Sequence, residues 1–483
     1  MITNDATLLK VKHEVLYEVA KLAYAGRLEE ERDSLPYKMV PGPQPAFRCC
    51  IYREREVIRQ RIRLAEGKAP GAEDDGNIVQ VINSACEGCP ISRYVVTDNC
   101  QKCMGKACQA ACRFGAISMG RDKSYIDPSK CKECGQCAKA CPYNAIADLV
   151  RPCMKSCPVD AISVADNGTG IAVINQDKCI QCGSCVHKCP FGAIGSKTFI
   201  VDIIKKMRSD IKVFAMLAPA TIGQFGADIT MASWRTALKK IGFYDVVDVS
   251  LGADMTAMNE AKEWIEAKEK GEKKTTSCCP AFKNYIEKHF PTLKDEISET
   301  VSPMCAASRY IKEKFPGAVT VFIGPCIAKK AESMSGEKDT ADYALTYGEI
   351  RAMLRAKGVK LEPEEDTDDQ GSIYGKKFAN AGGVTAAVLE SMKELGCTGD
   401  VSVCKCSGIT ECKKALTLMK VGRLPEDFIE GMVCEGGCVG GPSRHRDPNL
   451  AMRDRNAALA KSSDILIKDN LDKQNAETVD MIR

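Results

Sequence analysis

Apolar residues recur every three or four positions along HEVLYEVAKLAYAGRLEEERDSL (13–35) and along IYREREVIRQRIRLAEG (51–67). That spacing predicts two helices, each with one buried face. A Pro-rich break, VPGPQPAF (40–47), separates them, and Cys49 and Cys50 sit between the two as structural residues. The polar stretch EGKAPGAEDDGN (66–77) reads as a linker. After residue 199 the pattern changes. KVFAMLAPA (212–220), YDVVDVSL (244–251), AVTVFIG (318–324) and DYALTY (342–347) are short apolar runs suited to buried strands. Helical stretches such as MTAMNEAKEWIEAKEK (255–270) and YGEIRAMLRAKG (347–358) alternate with them, which predicts an α/β domain with a largely parallel sheet. LEPEEDTDDQGS (361–372) reads as a solvated acidic loop, and the chain beyond about 446 as a polar helical tail.

The composition narrows the function. Of 483 residues, 45% are hydrophobic and 27% charged, as in soluble globular proteins. The longest apolar patch, around 213–222, is broken by Pro219 and falls short of a membrane span. The N-terminus, MITNDATLLK, lacks a secretory pattern. A cytoplasmic protein without a membrane partner is therefore expected. Twenty-eight Cys in a reducing compartment point to metal binding and catalysis rather than disulfides. Four His (His13, His187, His289, His445) are too few for mixed Cys/His zinc sites or for histidine acid/base chemistry. The formal charge of +4 would be offset by several thiolate-ligated clusters, so no nucleic-acid partner is expected.

Sixteen of the cysteines fall between Cys86 and Cys189. CKECGQCAKACP (131–142) and CIQCGSCVHKCP (179–190) both spell C-x2-C-x2-C-x3-C-P, the bacterial ferredoxin motif, in which the fourth Cys crosses to the other cluster of a pair. Zinc motifs bring two close pairs instead. CQKCMGKACQAAC (100–112) is a longer variant with Arg113 in place of Pro, RPCMKSCP (151–158) is a degenerate unit, and CEGCP (86–90) is an isolated C-x2-C. Four related tails recur: CRFGAI (112–117), CPYNAI (141–146), CPVDAI (157–162) and CPFGAI (189–194). They predict two tandem ferredoxin-like pairs with four 4Fe-4S clusters. The crossing rule assigns Cys100, Cys103, Cys108 and Cys141 to one cluster, and Cys131, Cys134, Cys137 and Cys112 to a second. Cys179, Cys182, Cys185 and Cys157 make a third, leaving Cys86, Cys89, Cys153 and Cys189 for the fourth. His187, inside a cluster loop, is expected at the surface.

Three later segments place Cys in small Gly- or Pro-rich turns: TTSCCPAF (275–282), IGPCIAKKAE (323–332) and EGMVCEGGCVGGP (430–442). Glycine lets the backbone approach a bulky inorganic group closely. In order and separation these segments resemble the three signature motifs of the FeFe hydrogenases. The resemblance implies an α+β multidomain protein: tandem ferredoxin-like 4Fe-4S modules followed by an α/β FeFe-hydrogenase catalytic domain. The expected divisions are a helical segment (1–80), the two modules (81–198), and the catalytic domain with its tail (199–483). It also implies an H-cluster, a 4Fe-4S cube joined to a two-iron unit carrying CO, cyanide and a dithiolate bridge.

On the matching positions, the cube falls to Cys279, Cys326, Cys434 and Cys438, with Cys438 bridging. Cys278 matches the proton-relaying Cys, and Lys329 the Lys that donates to cyanide. Met432 matches a Met that packs beside the two-iron unit, while Ala218, Pro219, Ser277 and Pro325 match other pocket positions. A thiol at Cys278 has an ordinary pKa not far from neutral, useful for a shuttle. The family's proton path maps onto Cys278, Glu260, Ser298 and Glu263, but its outermost Arg is replaced by Ala267.

Departures from the common pattern include Gly324 before Pro325, Met304 where Gln is usual, and Phe282 for Trp. Cys404, Cys406 and Cys412 stand in a segment that is normally Cys-poor. Together these resemble the divergent group B. The resemblance implies reversible proton reduction, 2 H⁺ + 2 e⁻ ⇌ H₂, in an anaerobic setting, with ferredoxin as electron partner and dedicated maturation enzymes. Absence of a strand-linked G-x-G-x-x-G argues against a directly bound nicotinamide or flavin. The alternatives are a hydrogenase-like iron–sulfur assembly protein without the two-iron unit, and an H₂ sensor.

Overall fold

The computed structural model describes residues 6–71, 73–86, 89, 92–365, 370–397, 399–462 and 464–483. The two amphipathic stretches at the start form helices Ala6–Ala25 and Ile51–Ala65. Cys50 caps the second helix: its Sγ accepts a hydrogen bond from Arg53 N at 3.4 Å. The apolar faces, with Val15, Val19, Val57, Ile58 and Ile62, join one core with Ile82, Ile194 and Ile203 and with Val213, Leu217 and Val321 of the large sheet. Burial of that shared face anchors the helical layer to everything that follows.

Each cysteine-rich module is built from two small antiparallel ribbons. Tyr94–Val96 pairs with Ile146–Asp148, and Ile117–Met119 with Ser124–Ile126. Ile162–Val164 pairs with Ala172–Ile174, and Val79–Val81 with Ile194–Ser196. The last pairing shows that the modules are nested along the chain. The second module starts at Val79, is interrupted by the whole of the first, and resumes at Pro152. The expected division at 80/81 falls inside the strand Val79–Val81.

The four repeated tails share one backbone device. The third residue after each Cys is left-handed: Gly115 (φ 60°), Asn144 (49°), Asp160 (48°) and Gly192 (59°). Gly, Asn and Asp are the residues that tolerate this region. The turn aims the next N–H back at the sulfur. Ala116, Ala145, Ala161 and Ala193 donate to Cys112, Cys141, Cys157 and Cys189 at 3.3, 3.4, 3.2 and 3.2 Å. The following Ile117, Ile146, Ile162 and Ile194 are buried. The sequence repeat is thus a turn, a sulfur hydrogen bond and a core anchor, used four times.

Two parallel sheets organise the remainder. The larger runs Asp245–Asp248, Val213–Leu217, Val319–Ile323, Tyr343–Leu345. The smaller runs Lys274–Thr275, Phe428–Met432, Val403–Ser407. The segment expected as one strand over 244–251 turns helical at Val249, because Asp248 Oδ1 accepts from Ser250 N at 2.9 Å and caps the helix Val249–Lys270. Within the acidic stretch 361–372, residues 366–369 lie outside the described residues. Glu364 is not merely solvated, since it accepts from Thr230 Oγ1 at 2.7 Å and Thr236 Oγ1 at 2.8 Å. The tail is more than polar helix as well. After the helices Pro448–Leu459 and Ile467–Gln474, Val479 and Met481 are buried in a cluster with Trp264.

Candidate active site

The three signature segments and the Ala218–Pro219 turn all leave the carboxyl ends of parallel strands. Ala218 and Pro219 follow Val213–Leu217, and Pro325 and Cys326 follow Val319–Ile323. Ser277, Cys278 and Cys279 follow Lys274–Thr275, and Cys434 follows Phe428–Met432. Ligand crevices in parallel sheets open at these ends. Here the ends of both sheets face one cavity of about 90 Å³, into which Cys278, Cys279, Cys326, Cys434 and Cys438 all project. Lys329, Ala218, Pro219, Pro325, Met304 and Met432 line it too. Ser277 lies outside that lining; its buried Oγ donates to Thr300 O at 2.7 Å.

Glycines let the third segment close over the cavity. Gly437 has φ 82°, and a Cβ there would lie 2.6 Å from Ala379 O. A Cβ on Gly441 would lie 2.8 Å from Pro325 O. Cys438 N donates to Ala379 O at 2.8 Å, which fixes the thiol's direction. At Gly324 the missing side chain has been replaced by another: a Cβ would meet the Phe322 ring at 2.8 Å and Ala218 Cβ at 2.9 Å. Phe322 itself lines the cavity.

The donor set suits a cationic cluster. Burial and the surrounding thiols Cys326, Cys279 and Cys438 push the Cys434 thiol well above its usual range. Four thiolates in a largely apolar cavity require a compensating positive core, which an iron–sulfur cube supplies. Lys329 is 8% exposed and donates to Ser302 Oγ at 2.9 Å and Cys278 O at 3.3 Å. Burial opposes its charge, but Glu332 at 2.6 Å outweighs that and raises its pKa. The ammonium is therefore fixed and charged at the wall.

Cys278 departs from the expectation of a near-neutral thiol. Burial, then the neighbouring Glu260 and Cys279, push it well above the usual range. It therefore stays protonated at neutral pH. Glu260 is fully buried, and burial and Glu263 raise its pKa to about 8. Farther out, Glu263 accepts from Ser298 Oγ at 2.6 Å, Thr300 Oγ1 at 3.1 Å and Glu299 N at 3.1 Å. Neither side-chain oxygen of Glu260 has a well-formed hydrogen bond among the described residues, so no direct bond joins it to Ser298. Ala267 is buried; Arg483 instead approaches this region, donating to Ser277 O at 3.3 Å.

The structure brings together members of three of the groups expected from the crossing rule, and Cys100 with Cys108 of the remaining one. Cys137 has Cys131 and Cys112 as interacting thiols, and Cys153 has Cys189, Cys89 and Cys86. Cys179 and Cys182 face Cys157, and Cys185 faces Cys182, Cys179 and Cys157. Cys100 and Cys108 share the Ser124 hydroxyl at 3.8 and 3.9 Å, while Cys103 and Cys141 belong to the same module. Cys134 is exposed. Cys182 lines the active-site cavity and interacts with Cys434, which sets the third group beside the catalytic thiols.

Arg455 was not legible as a site residue. It is fully buried on the tail helix Pro448–Leu459 and donates to Pro219 O, Lys376 O and, at 2.9 Å, Asn380 Oδ1. It thereby joins the Pro219 turn to the segment that orients Cys438. Glu430, also buried, accepts from Gly382 N at 2.8 Å and Thr385 N at 2.9 Å. Cys406 and Cys412 are buried, with Cys412 Sγ donating to Met432 O at 3.6 Å and Cys404 lying 3.9 Å from Cys406.

Residues 211–442 match the iron only hydrogenase large subunit, C-terminal domain. Residues 124–147 match a 4Fe-4S binding domain, and 151–193 a 4Fe-4S dicluster domain. Iron hydrogenase 1 of Clostridium pasteurianum is 31% identical over 385 residues, covering 68% of this chain and 66% of the relative. The periplasmic [Fe] hydrogenase large subunit of Nitratidesulfovibrio vulgaris is 29% identical over 305 residues, covering 51% and 72%. A solved FeFe-hydrogenase HydA structure is 23% identical, with a TM-score of 0.47, and covers 56% of this chain and 92% of that one. With 4Fe-4S modules ahead of a matching C-terminal domain, the chain belongs to the iron-only, or FeFe, hydrogenase family.

Proposed function

We propose that the protein interconverts protons and H₂, with an H-cluster in the cavity and electrons relayed by four 4Fe-4S clusters. The observation that carries this reading is the convergence of the five signature-motif thiols, with Cys182 beside them, and one fixed ammonium on a single cavity at the ends of two parallel sheets. Cys279, Cys326, Cys434 and Cys438 would hold the cube, with Cys438 bridging to the two-iron unit. When bound, that group supplies the low-potential metal centre at which electrons and protons combine.

The chain's own residues supply the rest. Lys329, held by Glu332 and Ser302, offers a charged donor suited to a cyanide nitrogen. Ala218, Pro219, Met304, Phe322 and Met432 keep the cavity apolar and exclude water. Cys278 is a protonated thiol that can donate at its Sγ, and Glu260, protonated at neutral pH, can reload it. Glu263 and Ser298 are the outer members, with a water or a side-chain movement bridging from Glu260 to Ser298. Electrons would enter through the module spanning 92–150 and pass by the cluster of Cys86, Cys89, Cys153 and Cys189. They would leave through the Cys182 cluster beside the cavity. A low-potential iron–sulfur carrier such as ferredoxin suits that route, and maturation enzymes would deliver the two-iron unit. No described helix is long and apolar enough to cross a membrane. A reducing cytoplasmic setting suits the free cysteines.

The test is hydrogen evolution from reduced viologen by anaerobic protein co-produced with maturation enzymes. Activity is expected in the wild type and a loss of more than tenfold in Cys278→Ala. A matured wild type with intact clusters and no activity would favour the iron–sulfur assembly alternative.

A further inference from the structure

Three of the four histidines in the chain, His13, His187 and His445, line one cavity of about 450 Å³ outside the active site. Its walls come from parts of the chain far apart in sequence. The two N-terminal helices contribute Lys12 and Arg61, and helix Tyr347–Ala356 contributes Arg351. The segment after the third signature motif contributes Arg444 and Arg446. His187, expected at the surface, is half-buried, and its Nε2 lies 3.3 Å from an Arg444 guanidinium nitrogen. Arg351 is 3.4 Å from His445 Nδ1. Burial, with the neighbouring guanidinium groups, lowers the pKa of His187 and His445 to about 4, so both imidazoles are neutral acceptors and the positive charge here is that of Lys12, Arg61, Arg351, Arg444 and Arg446.

Asp454 pairs with Arg446, but carboxylates do not offset the other cations. Of the two acidic residues in the lining, Glu349 is engaged by Lys330 and by Thr346 N, and Asp447 caps the helix Pro448–Leu459. Among the described residues, no ion pair joins Lys12, Arg61, Arg351 or Arg444 to an acid. Arg61 is 7% exposed, and among the described residues neither its Nε nor the buried Arg444 Nε has a hydrogen-bond partner. Arg61 uses one other nitrogen, donating to Gly192 O at 2.7 Å. Cys189 faces Lys12 and Arg61 and offsets part of their charge. Arg444 also donates to Gly440 O at 3.1 Å and Gly441 O at 3.4 Å, so the unmet groups are the two buried Nε atoms, each costly unless a ligand completes it.

The remaining lining defines the ligand class. Gly348 is the second residue of the ten-residue helix Tyr347–Ala356, and open space stands where its side chain would be. That helix start adds its positive end to the basic wall. Ser196, Thr198 and Ser443 bring hydroxyls, while Leu9, Leu16, Val186 and Ile327 form an apolar wall. The volume lies in the range of small-molecule sites. We propose that this cavity binds an organic phosphate, with the phosphate on Arg351, Arg444, Arg61 and the helix start and the organic body along the apolar wall. The site lacks the glycine-rich strand–helix turn of dinucleotide folds, so the ligand acts as an effector rather than as an electron carrier. Lys12 and Arg61 of its wall interact with Cys189, so bound negative charge would lower the potential of a cluster held there. Recognition itself does not depend on what the active-site cavity holds.

Calorimetric titration of the anaerobic, cluster-loaded protein with ADP and with pyrophosphate tests this. Expected is saturable 1:1 binding of ADP, tighter than that of pyrophosphate and weakened more than tenfold in Arg351→Glu/Arg444→Gln. Iron content and melting temperature report whether that variant folds; should it not, His445→Gln with Arg351→Gln serves in its place and must also weaken binding. No saturable ADP binding, or equal binding by a folded variant, would overturn the proposal. Pyrophosphate binding as tightly as ADP would remove the apolar wall from it. Loss of ferredoxin binding in the variant, with no ADP binding in the wild type, would make the cavity a protein-docking surface instead.

Discussion

Glu260 carries the most testable chemistry at the residue scale. Its carboxyl is buried and its pKa raised from 4.5 to about 8, so the folded state holds a proton that the unfolded chain releases. Stability from this group is fully present below pH 4.5 and is lost as the pH rises toward 8, by up to about 1.4 kcal/mol per pH unit. Glu260→Gln removes that dependence. The variant should gain stability relative to wild type between those limits, measured by denaturant unfolding at a series of pH values. Its turnover should fall more than tenfold, about 1.4 kcal/mol in the barrier, with iron content unchanged. Wild-type turnover would show that protons enter elsewhere. Gly324 gives a second test. Gly324→Ala places a methyl against Phe322 and Ala218 and should cost about 1–3 kcal/mol, and Phe322→Leu in the same chain should recover part of it. The sequence marked Gly324 as a departure but could not show that Phe322 occupies the space, because that contact depends on the direction of a neighbouring strand residue. Met304 is fully buried among Phe214, Met216 and Phe322, so replacement by Gln would bury an amide there.

Among the elements, strands with strong local patterns were legible. The four strands of the large parallel sheet appear where apolar runs predicted them, and the central two, Val213–Leu217 and Val319–Ile323, are buried on both faces. None of the three strands of the small sheet was predicted, and Lys274–Thr275 is only two residues long. Val403–Ser407 carries Cys404, Lys405 and Cys406 in place of an apolar run, and Phe428–Met432 hides a buried Glu430. Motif spacing located the thiols in the sequence, yet only the second sheet explains how the first and third motifs meet. The tail helix was read as polar because Arg455 looks like a surface residue until its acceptors are known. Arg455→Ala would leave Pro219 O, Lys376 O and Asn380 Oδ1 without their donor in a buried site. A loss of about 3 kcal/mol or more is expected in unfolding experiments. Arg455→Lys should restore only part, since one ammonium cannot replace a planar fork reaching three acceptors.

For the whole molecule, the sixteen upstream cysteines could be partitioned by spacing because ferredoxin loops are short and their fourth ligand crosses by rule. Nesting was not legible, since pairing of Val79–Val81 with Ile194–Ser196 spans more than a hundred residues. It accounts for the isolated C-x2-C: Cys86 and Cys89 are separated from Cys153 by an entire inserted module. Protein made without maturation enzymes should therefore contain about twenty irons, four for each of four clusters and four for the cube. A value near sixteen would remove the cluster of Cys86, Cys89, Cys153 and Cys189. Cys438→Ser should leave the upstream clusters in place while preventing attachment of the two-iron unit. The most direct measurement is the infrared spectrum of matured, anaerobically purified protein. Bands of metal-bound CO and cyanide are expected in the wild type and absent from Cys438→Ser; a wild-type spectrum without them, in protein carrying its full complement of 4Fe-4S clusters, would contradict the account.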